Sequence, residues 1–279
     1  MSDAGAIPLR PSTTGELFDR AITLYRQHFV TFTIVMVPAS LCWVAIAVVG
    51  ETGVFVPANA DWGAPGDPMS AATVSSLGFL VYWLLLTLAQ GATTDAVSEL
   101  YQGRDPDILE SCRRLKGLLL RLLGMGLALG LATVTGLLIC TLPGIWVMVR
   151  TALSVPVAVV ENLRIMPAIL RSFQLTEGSW VRVLLVYALE LALSYAAVAI
   201  FAYPFGIAAS AVGVETLTGT LLEVLSVAGA AIAGASVGSI GAIALALIYY
   251  DERVRKEGLD LQWMMDKLEP GTSGVTRQG

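Results

Sequence analysis

Basic residues are missing from two connections of this chain: none of its 17 lysines and arginines falls in residues 51–76 or 209–222. Charge is scarce throughout, at 14% of 279 residues, whereas 56% are hydrophobic and the mean hydropathy is +0.73. A chain so poor in charge cannot hide its apolar surface in one soluble core, so lipid must cover the remainder. Histidine occurs once and cysteine three times. Cys42, Cys112 and Cys140 share no close spacing and fall at three depths of the topology below, which suggests neither a disulfide framework nor a metal cluster and leaves them as small buried hydrophobes. Walker loops and dinucleotide fingerprints are missing too, and metal hydrolysis has no ligand set to use, so no cofactor is expected. The formal net charge of -5, with basic residues spread among short segments, argues against nucleic acid. Those residues are expected to face anionic lipid headgroups.

What the chain does have is six apolar stretches. Together with the charge asymmetry they predict an all-α polytopic membrane bundle of six transmembrane helices with cytoplasmic interfacial amphipathic helices, set in the cell (inner) membrane with both termini cytoplasmic. The first 28 residues carry Arg10, Arg20 and Arg26 but no long apolar run, so the first span is expected to direct its own insertion. Thr13 or Thr14 can cap an interfacial helix whose apolar residues Leu17, Phe18, Ala21, Leu24, Tyr25 and Phe29 recur at helical spacing. Span 1 follows over about 30–50 with Pro38 inside it. An irregular outer loop is expected over 51–76, with Glu51, Asp61 and Asp67.

Span 2 is placed at about 76–94, followed by the polar stretch 95–103 and a basic helix opened by Asp105 and Pro106 and carrying Arg113, Arg114 and Lys116. Span 3 covers about 117–142, with Arg121 snorkelling from its inner end. Pro143 and Gly144 suggest a tight outer turn, and span 4 returns over 145–160 with Arg150 and Pro156 in it. A re-entrant segment there would leave Arg164, Arg171 and Arg182 outside, so the charge bias favours a crossing. An amphipathic stretch at 167–180 precedes span 5 at about 181–208, and span 6 runs over about 221–250. The membrane domain thus occupies 1–258, and the tail 259–279 is expected to be disordered from about 270.

Offsets of three and eight residues align Ala21, Leu24 and Phe29 with Cys112, Leu115 and Leu120 and with Ser172, Leu175 and Trp180. This suggests three units, 10–103, 104–165 and 166–258, each an interfacial helix plus a transmembrane hairpin. Amphipathic periodicity alone could produce the same alignment.

Arg150 and Glu190 are the charges deepest in the apolar stretches, both roughly 14 Å from the cytoplasmic ends of their spans. They could form an intramembrane ion pair that fixes helix packing; the functional alternative makes Arg150 an anion site or Glu190 a proton carrier. Ala230, Gly234, Gly238 and Ala242 form a small-residue stripe in span 6, and Gly126 and Gly130 another in span 3, both read as packing seams within the chain. The same stripe spells a hydrolase-like GxSxG over Gly234, Ser236 and Gly238, but inside an apolar helix this also reads as packing. His28 reads as a headgroup-level polar residue. Tyr249, Tyr250, Asp251, Arg253, Arg255 and Lys256 form an interfacial cluster, read as aromatic anchors with snorkelling cations.

The closing segment IYYDERVRKEGLDL, Ile248 to Leu261, resembles the signature of the membrane domain attached to some glycerophosphoryl diester phosphodiesterases, and the opening LRPSTTGELFDRAITLYRQHF, Leu9 to Phe29, is similar to the start of the same group. That group also occurs as stand-alone bacterial membrane proteins, and the resemblance spans nearly the whole chain. In the fused enzymes the chemistry belongs to a separate soluble barrel, which this sequence lacks. The resemblance therefore implies location and architecture, and an association with phospholipid metabolism, without phosphodiesterase activity. The leading expectation is a non-catalytic membrane platform for an unknown protein partner. A small-molecule or lipid transporter using Arg150 and Glu190 is the alternative, and an intramembrane enzyme ranks third because no grouping of residues makes a catalytic set.

Overall fold

The computed structural model describes residues 13–52, 68–104, 106, 108–115, 117–213 and 215–258. Among them are eleven helices and no strand. Six segments are long and apolar enough to cross a bilayer, which makes this a multi-pass membrane protein with an all-α bundle. The irregular outer loop expected over 51–76 is corrected at both ends, where 51–52 belong to the first crossing helix and 68–76 to the second. Its middle, 53–67, and the tail expected to be disordered from 270 lie outside the described residues.

Helix α1, Thr14–Gln27, begins where the sequence predicts. The Thr13 hydroxyl accepts the Glu16 N–H and Glu16 accepts the Thr13 N–H, closing a capping box. Its buried face, Leu17, Phe18, Ala21, Leu24 and Tyr25, packs chiefly on α11, Leu217–Glu257, and leaves the polar face outward. Phe29 belongs instead to α2, Phe29–Thr52, which carries Pro38 through the first crossing. The second crossing, α3, Pro68–Tyr101, does not stop at Thr94; it continues through the polar stretch because Asp95 and Glu99 find partners on α4, Ile108–Leu115. At about 1.5 Å per residue, the 34 residues of α3 and the 41 of α11 are both longer than a hydrocarbon core requires.

The expected turn at Pro143 and Gly144 is not there. Helix α5, Leu119–Ile139, ends at Cys140, whose extended backbone alone reverses the chain into α6, Thr141–Thr151. Proline is tolerated in the first turn of a helix, where its missing N–H is not needed. Gly144 serves the contact between the two arms: a Cβ on Gly136 would stand 2.9 Å from the Gly144 Cα. The fourth crossing is one path made of two helices, α6 and then α7, Ser154–Val160. Pro156 cannot donate to the carbonyl of Ala152, and the break falls at that point.

Asn162 follows in the left-handed region at φ 51, and Arg121 holds it by donating to its carbonyl (2.9 Å), to its side-chain Oδ1 (2.6 Å) and to the carbonyl of Leu163 (3.1 Å). The snorkelling arginine is thus a clasp on the next turn. Helix α8, Ile165–Thr176, is the second amphipathic helix, and Trp180 starts α9, Trp180–Phe201, rather than ending α8. Beyond a bend at Ala202 the chain continues as α10, Tyr203–Val212, so the outer connection shrinks from the expected 209–222 to the four residues before α11. Gly258 closes α11 at φ 61, a left-handed cap that glycine reaches without penalty.

Among the described residues, one end of the bundle is rich in basic residues and the other has none. At the basic end α1, α8, the end of α3 and the end of α11 meet around a buried cluster that includes Leu17, Leu175, Ile248 and Tyr249, and the Tyr101 and Tyr250 rings lie 4.4 Å apart. Along the crossings large apolar side chains point outward, among them Leu131, Leu138 and Ile200, as lipid contact requires. The small-residue stripe of α11 lies against α2: a Cβ on Gly234 would meet Ser40 at 3.5 Å and one on Gly238 would meet Met36 at 3.6 Å. Gly126 and Gly130 likewise meet Thr87 and Trp83 of α3. Ala21 and Ser172 are buried, as are Leu24 and Leu175, while Phe29 and Trp180 are about half exposed. The side chains of Cys112 and Leu115 lie outside the described residues, so the three-unit alignment is not decided by burial.

Candidate functional site

Two groups of side chains stand out, one inside the bilayer and one at the basic end. The first surrounds a half-open cleft of about 550 Å³ within the membrane-spanning helices, alongside α9. It exists because α9 packs on α11 and only touches α6, standing away from α3 and α5. Its wall is mostly apolar, from Leu86, Leu129, Ile145, Met148, Leu184 and Leu245, with the Trp83 and Tyr187 rings added. The hydroxyls of Thr87 and Thr151 on this wall are turned back to the carbonyls of Trp83 and Val147 at 2.8 Å each. Glu190 is the only charged residue among those that line it.

The Glu190 carboxylate lies flat against the backbone of α11. A Cβ on Gly241 would stand only 2.4 Å from the Glu190 Cδ, so glycine at 241 leaves the space that the carboxylate fills. Tyr82 and Tyr187 lie within electrostatic range of it. Among the described residues no Lys or Arg pairs with it. The expected ion pair between Arg150 and Glu190 is therefore not formed. Equal depth fixes height in the bilayer but not direction around the helix, and the two side chains diverge.

Arg150 sits at the end of α6 and points toward α8. Its guanidinium lies 5.1 Å from the Phe173 ring centroid and 5.9 Å from that of Trp146, two rings that themselves meet edge to face. Cation–π attraction to these two rings is the interaction its guanidinium makes in place of a carboxylate. The Arg150 Nε is nevertheless buried without a hydrogen-bond partner. Its carbonyl, freed by the break before α7, accepts the hydroxyl of Ser172 at 2.8 Å.

At the basic end the cluster expected at the interface is largely inside the protein. Tyr249, Tyr250 and Asp251 are buried, as is Glu252, which the sequence pattern gave no reason to single out. Arg182 of α9 reaches both Asp251 and Glu252 at 2.7 Å. Arg255 donates to Asp251 at 2.7 Å, while Arg253 joins Glu257, Glu161 and the Tyr249 hydroxyl. Arg171 pairs with Glu161 and Glu257. Lys256 donates to the carbonyls of Gln174, Leu175 and Glu177 at the end of α8. On the α3 side, Glu99 takes Arg104 and Arg114. The hydrogen bonds that Arg114 donates to Glu99 and then to Glu110 push its guanidinium further up from its already high pKa. These cations are engaged within the protein: one set joins α3 to α4, and the other joins the end of α7, α8 and α9 to α11.

Neither group has the parts of a known catalytic constellation. Ser236 lies in the middle of α11 rather than on a strand-to-helix turn, and His28 caps α1 with its ring edge-on to Phe32 at 6.5 Å. Among the described residues no group of three His, Cys, Asp or Glu could hold a metal ion. No protein-family model, curated protein or solved structure matches this chain.

Proposed function

We propose that this membrane protein takes a small amphipathic or lipid-like molecule from the bilayer into its central cavity, and that its basic end faces the cytoplasm. The observation that carries this reading is a half-open, mostly apolar cleft of about 550 Å³ between the membrane-spanning helices, with one carboxylate on its wall. Ligand cavities are typically a few hundred to about 1,000 Å³, mostly apolar, with few polar groups that set orientation. A helical bundle that only had to fill the membrane would close such a space, because packing there supplies the cohesion. The resemblance to the phosphodiesterase-associated membrane domains agrees with a lipid-derived ligand, and the role proposed is handling rather than chemistry.

Native mass spectrometry of the purified protein tests this. Wild type is expected to retain a small-molecule adduct that Ala188→Trp, which places an indole in the cavity, no longer holds while still eluting as one folded species. Absence of any adduct, or an adduct indifferent to the tryptophan, would contradict it.

A second reading, a membrane platform for a protein partner, is favoured by the ion-paired layer at the basic end. Its rigidity suits docking, with the exposed polar faces of α1 and α8 outward. Co-purification of a soluble enzyme or membrane complex that is lost on altering those faces would support that role.

A further inference from the structure

We infer that the molecule held in the cavity is a monocationic amphiphile, an alkylammonium whose charged nitrogen sits at Glu190 and whose chain fills the apolar wall. The inference rests on the cavity being a ligand site, and it adds the charge and shape of the ligand. A carboxylate at mid-bilayer without a counterion is costly, and intramembrane charges are normally paired within the bundle. Here the one basic side chain of comparable depth, Arg150, is turned away into the Trp146 and Phe173 rings. The remaining cations with described partners are engaged at the basic end. Protonation would neutralise Glu190 without a partner. When ionised it needs a counterion, and with no basic side chain among the residues that line the space it borders, that space is where an external cation would reach it.

The chemistry of the wall selects among cations. A hard metal ion needs about six or more oxygen ligands, preferably several of them charged. The lining offers one carboxylate beside the neutral oxygens of Gln90, Thr133 and Ser194, with the Thr87 and Thr151 hydroxyls already committed to their own helices. An organic ammonium needs one carboxylate, aromatic faces and apolar surface for its chain. Glu190, Tyr187 and Trp83 with the leucine wall supply these. A zwitterionic phospholipid headgroup fits less well, because no Lys or Arg lines the cavity to receive its phosphate.

The test uses the full chain in nanodiscs of zwitterionic lipid, with radiolabelled dodecyltrimethylammonium, dodecanol and dodecylphosphocholine as probes below their micelle concentrations. Wild type is expected to bind the ammonium at least about tenfold more tightly than the alcohol or the phosphocholine, the difference that one desolvated charge pair supplies. Glu190→Gln, which keeps shape and volume, is expected to abolish that preference while alcohol binding stays unchanged. Gly241→Ala, whose Cβ would displace the carboxylate without removing its charge, is expected to weaken ammonium binding selectively. Equal binding of ammonium and alcohol to wild type, a preference that survives Glu190→Gln, or tight binding of the phosphocholine would each overturn the inference while leaving the cavity reading intact. Binding of none of the three would overturn both.

Discussion

Arg182→Ala is expected to lower the unfolding free energy by about 3–5 kcal/mol, the usual cost of removing one partner from a buried ion pair. The Arg182 Nη1 lies 2.7 Å from both Asp251 and Glu252, whose side chains are 3% and 2% exposed. Without it, Glu252 would have among the described cations only Lys256, at 3.9 Å. The comparison that isolates burial is Arg255→Ala. Arg255 also reaches Asp251 at 2.7 Å, but its own side chain is 40% exposed, so the loss should stay below about 1 kcal/mol. Reversible unfolding in mixed micelles reads both values. Similar losses for the two variants would mean that the basic end is a solvated surface network rather than a buried one.

Gly229→Ala is expected to cost about 2–3 kcal/mol by overpacking. A Cβ there would stand 2.0 Å from the carbonyl oxygen of Phe201 and 2.7 Å from its carbon, and backbone cannot swing aside as a side chain can. The bend between α9 and α10 would have to move off α11, breaking the hydrogen bond from Ser226 to the Ala202 carbonyl (3.1 Å). Gly234→Ala is the matching control in the same helix, because its Cβ would meet Ser40 at an ordinary 3.5 Å. It should be close to neutral. The same unfolding measurement checks this pair, and equal effects would show that α11 is not seated against the bend as described.

The six crossings were legible because each is a long apolar run, and the interfacial helices because Thr13 and Glu16 spell a cap and the apolar residues of α1 and α8 recur at helical spacing. Places where tertiary contacts override a local signal were not legible. Pro143 and Gly144 read as a turn, yet the proline fits a helix start and the glycine serves the approach of α5 to α6. Asp95 and Glu99 read as the end of a span, yet partners on α4 let α3 continue. The tyrosines at 249 and 250 read as interface anchors, whereas the layer formed by α1, α3 and α8 buries them. Depth along the helices brought Arg150 and Glu190 to attention, but their directions depended on a helix break and on the stance of α9, neither of which a hydropathy pattern encodes. The cavity had no sequence signature, since its walls are the same leucines and threonines that elsewhere pack closely.

Six crossings with the basic end on one side of the membrane underlie every role assigned above, and sided thiol labelling tests that most directly. In right-side-out membranes, a membrane-impermeant maleimide should react with the native Cys140, which is not the buried hydrophobe expected of it but is exposed at the α5–α6 reversal, as Cys42 is only half-buried. It should not react with Glu177→Cys in a Cys140→Ser background, because residue 177 is exposed at the basic end after α8, until the membranes are opened or inverted. Labelling of residue 177 from the same side as Cys140 would contradict the six-span threading, and with it the mid-bilayer placement of Glu190.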